Sequence, residues 1–365
     1  MGLITDIFSL EDFKETIPFT ALGARTCYSG GDLNYLLNDP RVVSKNDRAK
    51  FLSKLGNYKH FSVFAHSFSY KDLSDLSEEK INSHLEPEYL SLPHNTKAQI
   101  LAMKIASLYF KAHYNPKYPT VVGVSLRHYL EEMLSIDEKE YFKTFEKMAE
   151  YDVPVSPLGE KENVSLIGLL DEYDGYAVFY IDNVSRVMTH QLVRHTTLNF
   201  SQRSQRYVKE DENKIIIPPS IKENSTDISS NETIRNIIEI VKSLKKHIKN
   251  AQIKEALKEN ALKRIENFIE DFSNKERISL QELFIATDEL CDVIYEFSVY
   301  VGKVKREDGR FILPHGRKTT IVVSSTLNWI VDFIIKRTDP HAQWEIQNIA
   351  KQMKELLEEQ GIYVY

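Results

Sequence analysis

Tyr176–Ile181, YAVFYI, is the stretch of this chain that most restricts its fold, because six consecutive apolar residues read as a strand buried in a sheet. Asn183 follows as a cap for a helix through about His195, with Val184, Val187, Met188 and Leu192 on one side. On such a helix Gln191, Arg194 and His195 stand at i, i+3 and i+4 and share a face. Ser204 and Arg206, two apart, share a face if their segment is extended. Guanidinium groups are rigid planar forks of donors, matched to phosphate or to a carbonyl edge. The whole stretch Gln191–Tyr207, QLVRHTTLNFSQRSQRY, therefore reads as a site for something small, planar and anionic, and a nucleotide fits that description. Two surface arginines with ordinary salt bridges are the plainer alternative.

Elsewhere the pattern alternates between helices and isolated strands. HFSVFAHSFSY, His60–Tyr70, is aromatic and partly alternating, as in a strand. Thr96 with Gln99 forms a capping box ahead of Leu101, Ile105, Leu108 and Tyr109 at helical spacing, and Pro116 and Pro119 stop that helix. Further helices are expected at Ser125–Met133, Asp137–Glu150 and Gln281–Val301, with one long charged helical region running to about Phe272. Thr319–Ser324 is β-branched and strand-like. The last helix is expected to start at Asp339 and Pro340 and to end at Gly361, with Ala342, Ile346, Ile349, Met353 and Leu356 on its apolar side. GVSLRHYLE, Gly123–Glu131, faintly echoes NVSRVMTHQ, Asn183–Gln191, which is too little to establish a repeat.

Bulk properties narrow the classes of function. A hydrophobic content of 42% and a charged content of 27% are those of a globular protein. The net charge of −6 argues against a broad basic face for nucleic acid, so any anion site is local. Two cysteines, Cys27 and Cys291, make neither a disulfide framework nor a metal motif, and the cytoplasm is the default compartment. No apolar run approaches the roughly 18 residues of a membrane span. The N-terminus carries neither a signal-peptide pattern nor a myristoylation signal.

Several chemistries lack their motifs. No Cys, Asp or Glu near His60 and His66 completes a metal set, and His190 and His195 are five apart, so no metal is expected. Nucleophile-elbow, phosphate-loop and dinucleotide fingerprints are all missing. Two further cationic clusters stand out. DGRFILPHGRKTT, Asp308–Thr320, carries Arg310 and Arg317. KRTDPHAQWEI, Lys336–Ile346, carries Arg337, placed just before an expected helix N-terminus that would favour anions.

These residues resemble the flavin-dependent thymidylate synthases. The family signature is Arg-His-Arg, seven residues, then Ser, a residue, Arg and Tyr; here Arg194-His195-Thr196 is followed after seven residues by Ser204-Gln205-Arg206-Tyr207. NVSRVMTHQLVRH is similar to the entry into that signature. HFSVFAHSFSY looks like the family's H-x-[ST]-x-x-E-H segment, EDGRFILP its E-x-A-R-x-x-L-P segment, and TDPHAQWEIQNIA its closing helix. The resemblance covers about 20–70, 176–207 and 295–355.

It implies an α+β fold, a mixed sheet flanked by helices, in a single domain with large helical insertions at about 71–174 and 210–290. It implies reductive methylation of dUMP to dTMP, with methylenetetrahydrofolate as carbon donor and NADPH supplying hydride through FAD, in a cytoplasmic homotetramer. By similarity Arg337 is catalytic and favours an ionised N3 of the pyrimidine. Gln191, Arg194, Gln202, Ser204, Arg206 and Arg310 hold the nucleotide, their arginines gathering with Arg337 around it. Ser62, His195, Thr196, Asn328 and Asp332 contact flavin, with Thr326 beside them. The chain departs from the pattern at Thr196 for Arg, Ser201 and Gln202 for the Asn-Glu pair, Ala65 for Glu, and Thr326-x-Asn328 for Asn-x-Arg. A charged hydrogen-bonding group that is not replaced takes with it on the order of 1.5–3 kcal/mol. Lys303, Lys305 and Arg317 are candidates to replace it. An altered pyrimidine nucleotide, absence of flavin, or a catalytically silent binding subunit are the alternatives on the same fold.

Overall fold

The computed structural model describes residues 2–208, 215–229 and 232–364. Two compact units divide the chain. The first holds Met1–Asp182, His190–Arg203 and Thr320–Tyr365, and the second Asn183–Thr189 and Ser204–Thr319. In chain order the strands are β1 (Phe68–Asp72), β2 (His113–Tyr114), β3 (Val121–Ser125), β4 (Gly159–Glu160), β5 (Val164–Leu170), β6 (Tyr176–Ser185), β7 (Asn199–Gln202), β8 (Asp227–Ser229), β9 (Arg277–Ser279) and β10 (Lys318–Thr326). They form sheets ordered β1-β3-β2, β4-β5-β6-β10-β7 and β8-β9. With helices against these sheets the class is α+β, as expected.

The first unit carries YAVFYI at the middle of its five-stranded sheet. All six residues are 0–2% exposed, so both faces of β6 are covered. Burying each large apolar side chain contributes about 1.5–3 kcal/mol, which is why an unbroken apolar run selects a central strand. The strand runs on to Ser185, and Asn183 adopts φ +55 within it rather than capping a helix. Asn tolerates the left-handed region better than most residues.

Among the helices, Leu126–Ile136 and Glu138–Lys147 match their patterns, the second capped by Asp137. The Thr96 capping box does not form: that helix is His94–Leu108, begins after Pro93 without a side-chain cap, and ends well before Pro116. Phe61–His66 is a 3-10 turn, and only Phe68–Tyr70 of the aromatic segment is strand, the first part of β1. The final helix is Trp344–Glu359, shorter at its start than expected. Asp339 instead accepts the His341 N–H at 2.8 Å, and the Gln343 side chain caps the helix by accepting from Glu345 and Ile346 N–H. Ile346, Ile349, Met353 and Leu356 are buried along it, and Gly361 at φ +79 ends it.

The second unit has helices Thr233–Lys249, Glu255–Ser273 and Leu280–Tyr300, so the single region expected up to Phe272 is broken between Lys249 and Glu255. Their apolar sides share one core around Ile234, Val241, Ile265, Phe268 and Val293. Ser279 closes a capping box with Glu282 at the start of the third helix. The two echoing segments prove locally alike. Ser125 ends β3 and Ser185 ends β6, and each caps the helix that follows.

Candidate functional site

The helix after β6 is Arg186–Leu192, started by Ser185, whose Oγ accepts the Met188 N–H at 3.0 Å. It stops three residues before His195, so the shared helical face expected for Gln191, Arg194 and His195 does not exist. Tight turns replace it: Arg194 N–H donates to Gln191 O, His195 N–H to Leu192 O, and Leu198 N–H to His195 O. Arg194 and Thr196 are exposed, while Gln191 and His195 are half-buried.

His195 meets Arg337 across 142 positions of sequence. Arg337 Nε donates to His195 Nε2 at 3.0 Å, and the ring stands edge-on to Phe333 at 5.0 Å. An Nε2 that accepts leaves the ring's proton on Nδ1, so this is a neutral imidazole. Burial pushes His195 below its ordinary value, and the charges of Arg337 and Lys336 push it further the same way. Arg337 lies in the last turn of the helix Leu327–Thr338, not ahead of a helix N-terminus. Its charge complements the carboxyl end of that helix, and free helical N–H groups do not add to its pull on an anion. Asn328, Asp332 and Lys336 follow one another at i+4 spacing on the same helix, with Lys336 paired to Asp332 at 2.7 Å and Thr326 hydrogen-bonded to Asn328. Ser62 is exposed on the 3-10 turn Phe61–His66. Gln202 is half-buried in β7, opposite Ile321 of β10.

The second unit carries Ser204, Arg206 and Arg310. Ser204–Val208 is a turn rather than an extended segment, since Tyr207 and Val208 N–H both donate to Ser204 O. Glu307 draws the two arginines together. Its carboxylate accepts from Arg206 Nε and Nη2 at 3.0 and 2.7 Å, and its carbonyl accepts from Arg310 Nε at 3.1 Å. Sequence reasoning misses Glu307; its signal is the position three residues before Arg310 in EDGR. Arg317, a candidate to stand in for the flavin-side cations, is buried and committed. It donates to Asp288 and Asp292 at 2.7 and 2.8 Å, so it holds the second unit together. Lys303 donates to Tyr300 O at 2.9 Å.

Two of the departures from the signature meet in a buried neutral network of the first unit. His66 is fully buried, with Nδ1 2.8 Å from Ser324 Oγ and Nε2 2.8 Å from Ser201 Oγ. Burial, with Lys111 adding to it, pushes its pKa to about 3. Tyr176 OH donates to Ala65 O at 2.7 Å and lies 2.7 Å from Ser324 Oγ. A carboxylate at buried position 65 or a larger amide at 201 would need partners this neutral network does not offer. Gly23 is required beside it, because a Cβ there would stand 2.6 Å from His66 Cδ2. Cys27 has its thiol pushed up to about 11 by burial, the opposite of what a nucleophilic thiolate needs. Among the described residues no three His, Cys, Asp or Glu side chains gather to hold a metal ion, and no helix is long and apolar enough to cross a membrane.

The family described as Thymidylate synthase complementing protein matches residues 175–360. The chain belongs to this family. The matched stretch contains every singled-out residue from Gln191 to Arg337 and leaves Ser62 outside. Flavin-dependent thymidylate synthases of Clostridium tetani and Nitratidesulfovibrio vulgaris are 29% and 30% identical over 183 and 181 residues, 48% and 50% of this chain. That of Pyrococcus furiosus is 30% identical over 220 residues, 58% of this chain and 66% of its own. The chain spans 55% of the length of each of the first two relatives. A Helicobacter pylori flavin-dependent thymidylate synthase complexed with FAD and dUMP is 18% identical over 52% of this chain and 72% of its own, with a TM-score of 0.28, too low to compare arrangements.

Proposed function

We propose that this chain is a flavin-dependent thymidylate synthase that methylates dUMP at C5. Methylenetetrahydrofolate supplies the methylene and leaves as tetrahydrofolate, NADPH supplies the hydride that completes the methyl group, and the C5 proton is lost. The observation that carries this reading is the Arg337–His195 pair. It puts a permanent cation and a neutral imidazole together, from the two ends of the family-matched stretch. Attack by C5 on a one-carbon electrophile is favoured when negative charge on the pyrimidine is stabilised. Arg337 serves that purpose because a guanidinium stays charged and aims paired donors. Gln191, Arg194, Gln202, Ser204, Arg206 and Arg310 are assigned to the nucleotide.

FAD, when bound, would relay the hydride. The donor set suits a flavin dinucleotide in kind: Ser62, Thr196 and Asn328 present exposed hydroxyls and an amide, and Lys336 with Arg337 supplies the positive field already felt by His195. His195, kept neutral, holds Arg337 in place. A homotetramer in the cytoplasm belongs to the same reading. The uncharged Thr196 and Gln202 favour a second reading, the same chemistry on another pyrimidine nucleotide.

Purified protein titrated with FAD should develop a bound-flavin spectrum, and with reduced cofactor it should release tritium from C5 of labelled dUMP. Arg337→Ala should lower that release by at least about a hundredfold, as removal of a donor to developing transition-state charge does. Undiminished release would remove Arg337 from its role. Tritium release from dCMP or UMP in place of dUMP would select the second reading. A protein that ignores both FAD and every nucleotide would end both.

A further inference from the structure

We propose that the first unit binds a small monocarboxylate with a ring-sized apolar body, in a cavity formed at Lys111 by the end of the helix His94–Leu108, the start of the helix Leu126–Ile136 and the start of β7. The inference stands apart from the thymidylate synthase reading, because none of the residues assigned to nucleotide or flavin lines this cavity.

The cavity has a volume of about 200 Å³. An apolar cavity of about 150 Å³ admits benzene, so a single ring fits here. Phe68, Leu108 and Phe110 supply apolar wall. The polar side is an uncompensated cation. Lys111, half-buried and held at φ +69, donates to Leu198 O at 2.7 Å and to Asn199 Oδ1 at 3.1 Å. Both hydrogen-bond partners are neutral oxygens, and its further contact is the Phe110 ring, 5.4 Å from Nζ, so none of these partners carries a negative charge. The charge that acts on it most is another cation, Arg127, whose own carboxylate partner is Glu131 at 2.9 Å. Burial and Arg127 together push the Lys111 ammonium down to about 8, so it remains largely charged at neutral pH.

His128 cannot supply the missing counter-charge. Its Nε2–H donates to Phe110 O at 2.8 Å and its Nδ1 accepts the Ser125 N–H at 3.2 Å, which makes it a neutral, fixed wall. Lys111, Arg127 and Glu131 leave the cavity with one net positive charge. A half-buried charge without a counter-ion is costly, and a monoanion placed against Lys111 offsets that cost while its ring displaces water from the apolar wall. Lys111 also holds the backbone between His195 and Gln202, so an occupant would pull on that segment.

The test is calorimetric titration of the full chain with benzoate, with its neutral analogue benzamide, and with inorganic phosphate. Benzoate should bind saturably and at least about tenfold more tightly than benzamide or phosphate, about 1.4 kcal/mol. Lys111→Met should weaken benzoate about tenfold or more. Leu108→Trp, at a residue 62% exposed, fills the cavity from its rim without disturbing the core and should do the same. Equal binding of benzamide, preference for phosphate, absence of saturable benzoate binding at about 10 mM, or unchanged affinity in Leu108→Trp would each overturn the proposal.

Discussion

Acid should destabilise the first unit through His66. In the unfolded chain this ring takes a proton near 6.5; in the folded protein it stays neutral until about 3. Between those values the unfolded state binds more protons, so stability rises with pH across the window and is lost as pH falls through it. From 6.5 down to an assay pH of about 4.5 is two pH units at about 1.4 kcal/mol each, so His66 removes roughly 2.5 kcal/mol relative to neutral pH. His66→Gln keeps a donor and an acceptor for Ser201 and Ser324 but cannot titrate. The chain's two tryptophans, Trp329 and Trp344, both lie in the first unit, so their fluorescence during urea unfolding reports on that unit. Wild type should lose about 2.5 kcal/mol more than His66→Gln between neutral pH and pH 4.5. Comparing the two proteins cancels the carboxylates they share. Parallel losses would show that His66 is not held neutral between its serines, and the network around it would have to be redrawn.

Arg317→Met should leave Asp288 buried without the guanidinium that donates to it, while Asp292 keeps its ion pair with Arg264, and should cost about 3–5 kcal/mol. Hydrogen exchange along the helix Leu280–Tyr300 should accelerate accordingly, and unchanged exchange would mean the ion pairs are not what holds it. Glu307→Gln should scarcely alter stability, by less than about 1 kcal/mol, because Arg206 and Glu307 are both well exposed. If Arg206 and Arg310 hold the nucleotide, the same change should raise the KM for dUMP several-fold with little effect on kcat; a fall in kcat alone would assign Glu307 a different part.

Local patterns transferred well where short-range physics decides. Six apolar residues became a strand buried on both sides, and Ser125, Asp137 and Gly361 mark helix ends where their chemistry predicts. They failed where two local signals compete. Asn183 resembles a cap but takes a left-handed conformation inside β6, and Ser185 caps instead. Asp339-Pro340 resembles a helix start, yet the Asp339 carboxylate closes a turn and Gln343 opens the helix, which reverses Arg337 from the beginning of one helix to the end of another.

The ordered motifs by themselves determined the membership of a family, which in turn implied the α+β class, and the roster of cationic side chains is plain in the sequence, because residue identity and order need no knowledge of contacts. Which cations are available was a matter for the tertiary structure. Arg317 and Arg337 are equally legible as guanidinium groups, but one lies buried against two aspartates and the other faces a neutral histidine. The charge state of that histidine, the partner shared by Arg206 and Arg310, and the uncompensated Lys111 also arise from contacts between distant segments. Desolvation and Coulomb energy depend on distance in space, and sequence spacing carries no record of it across a hundred residues.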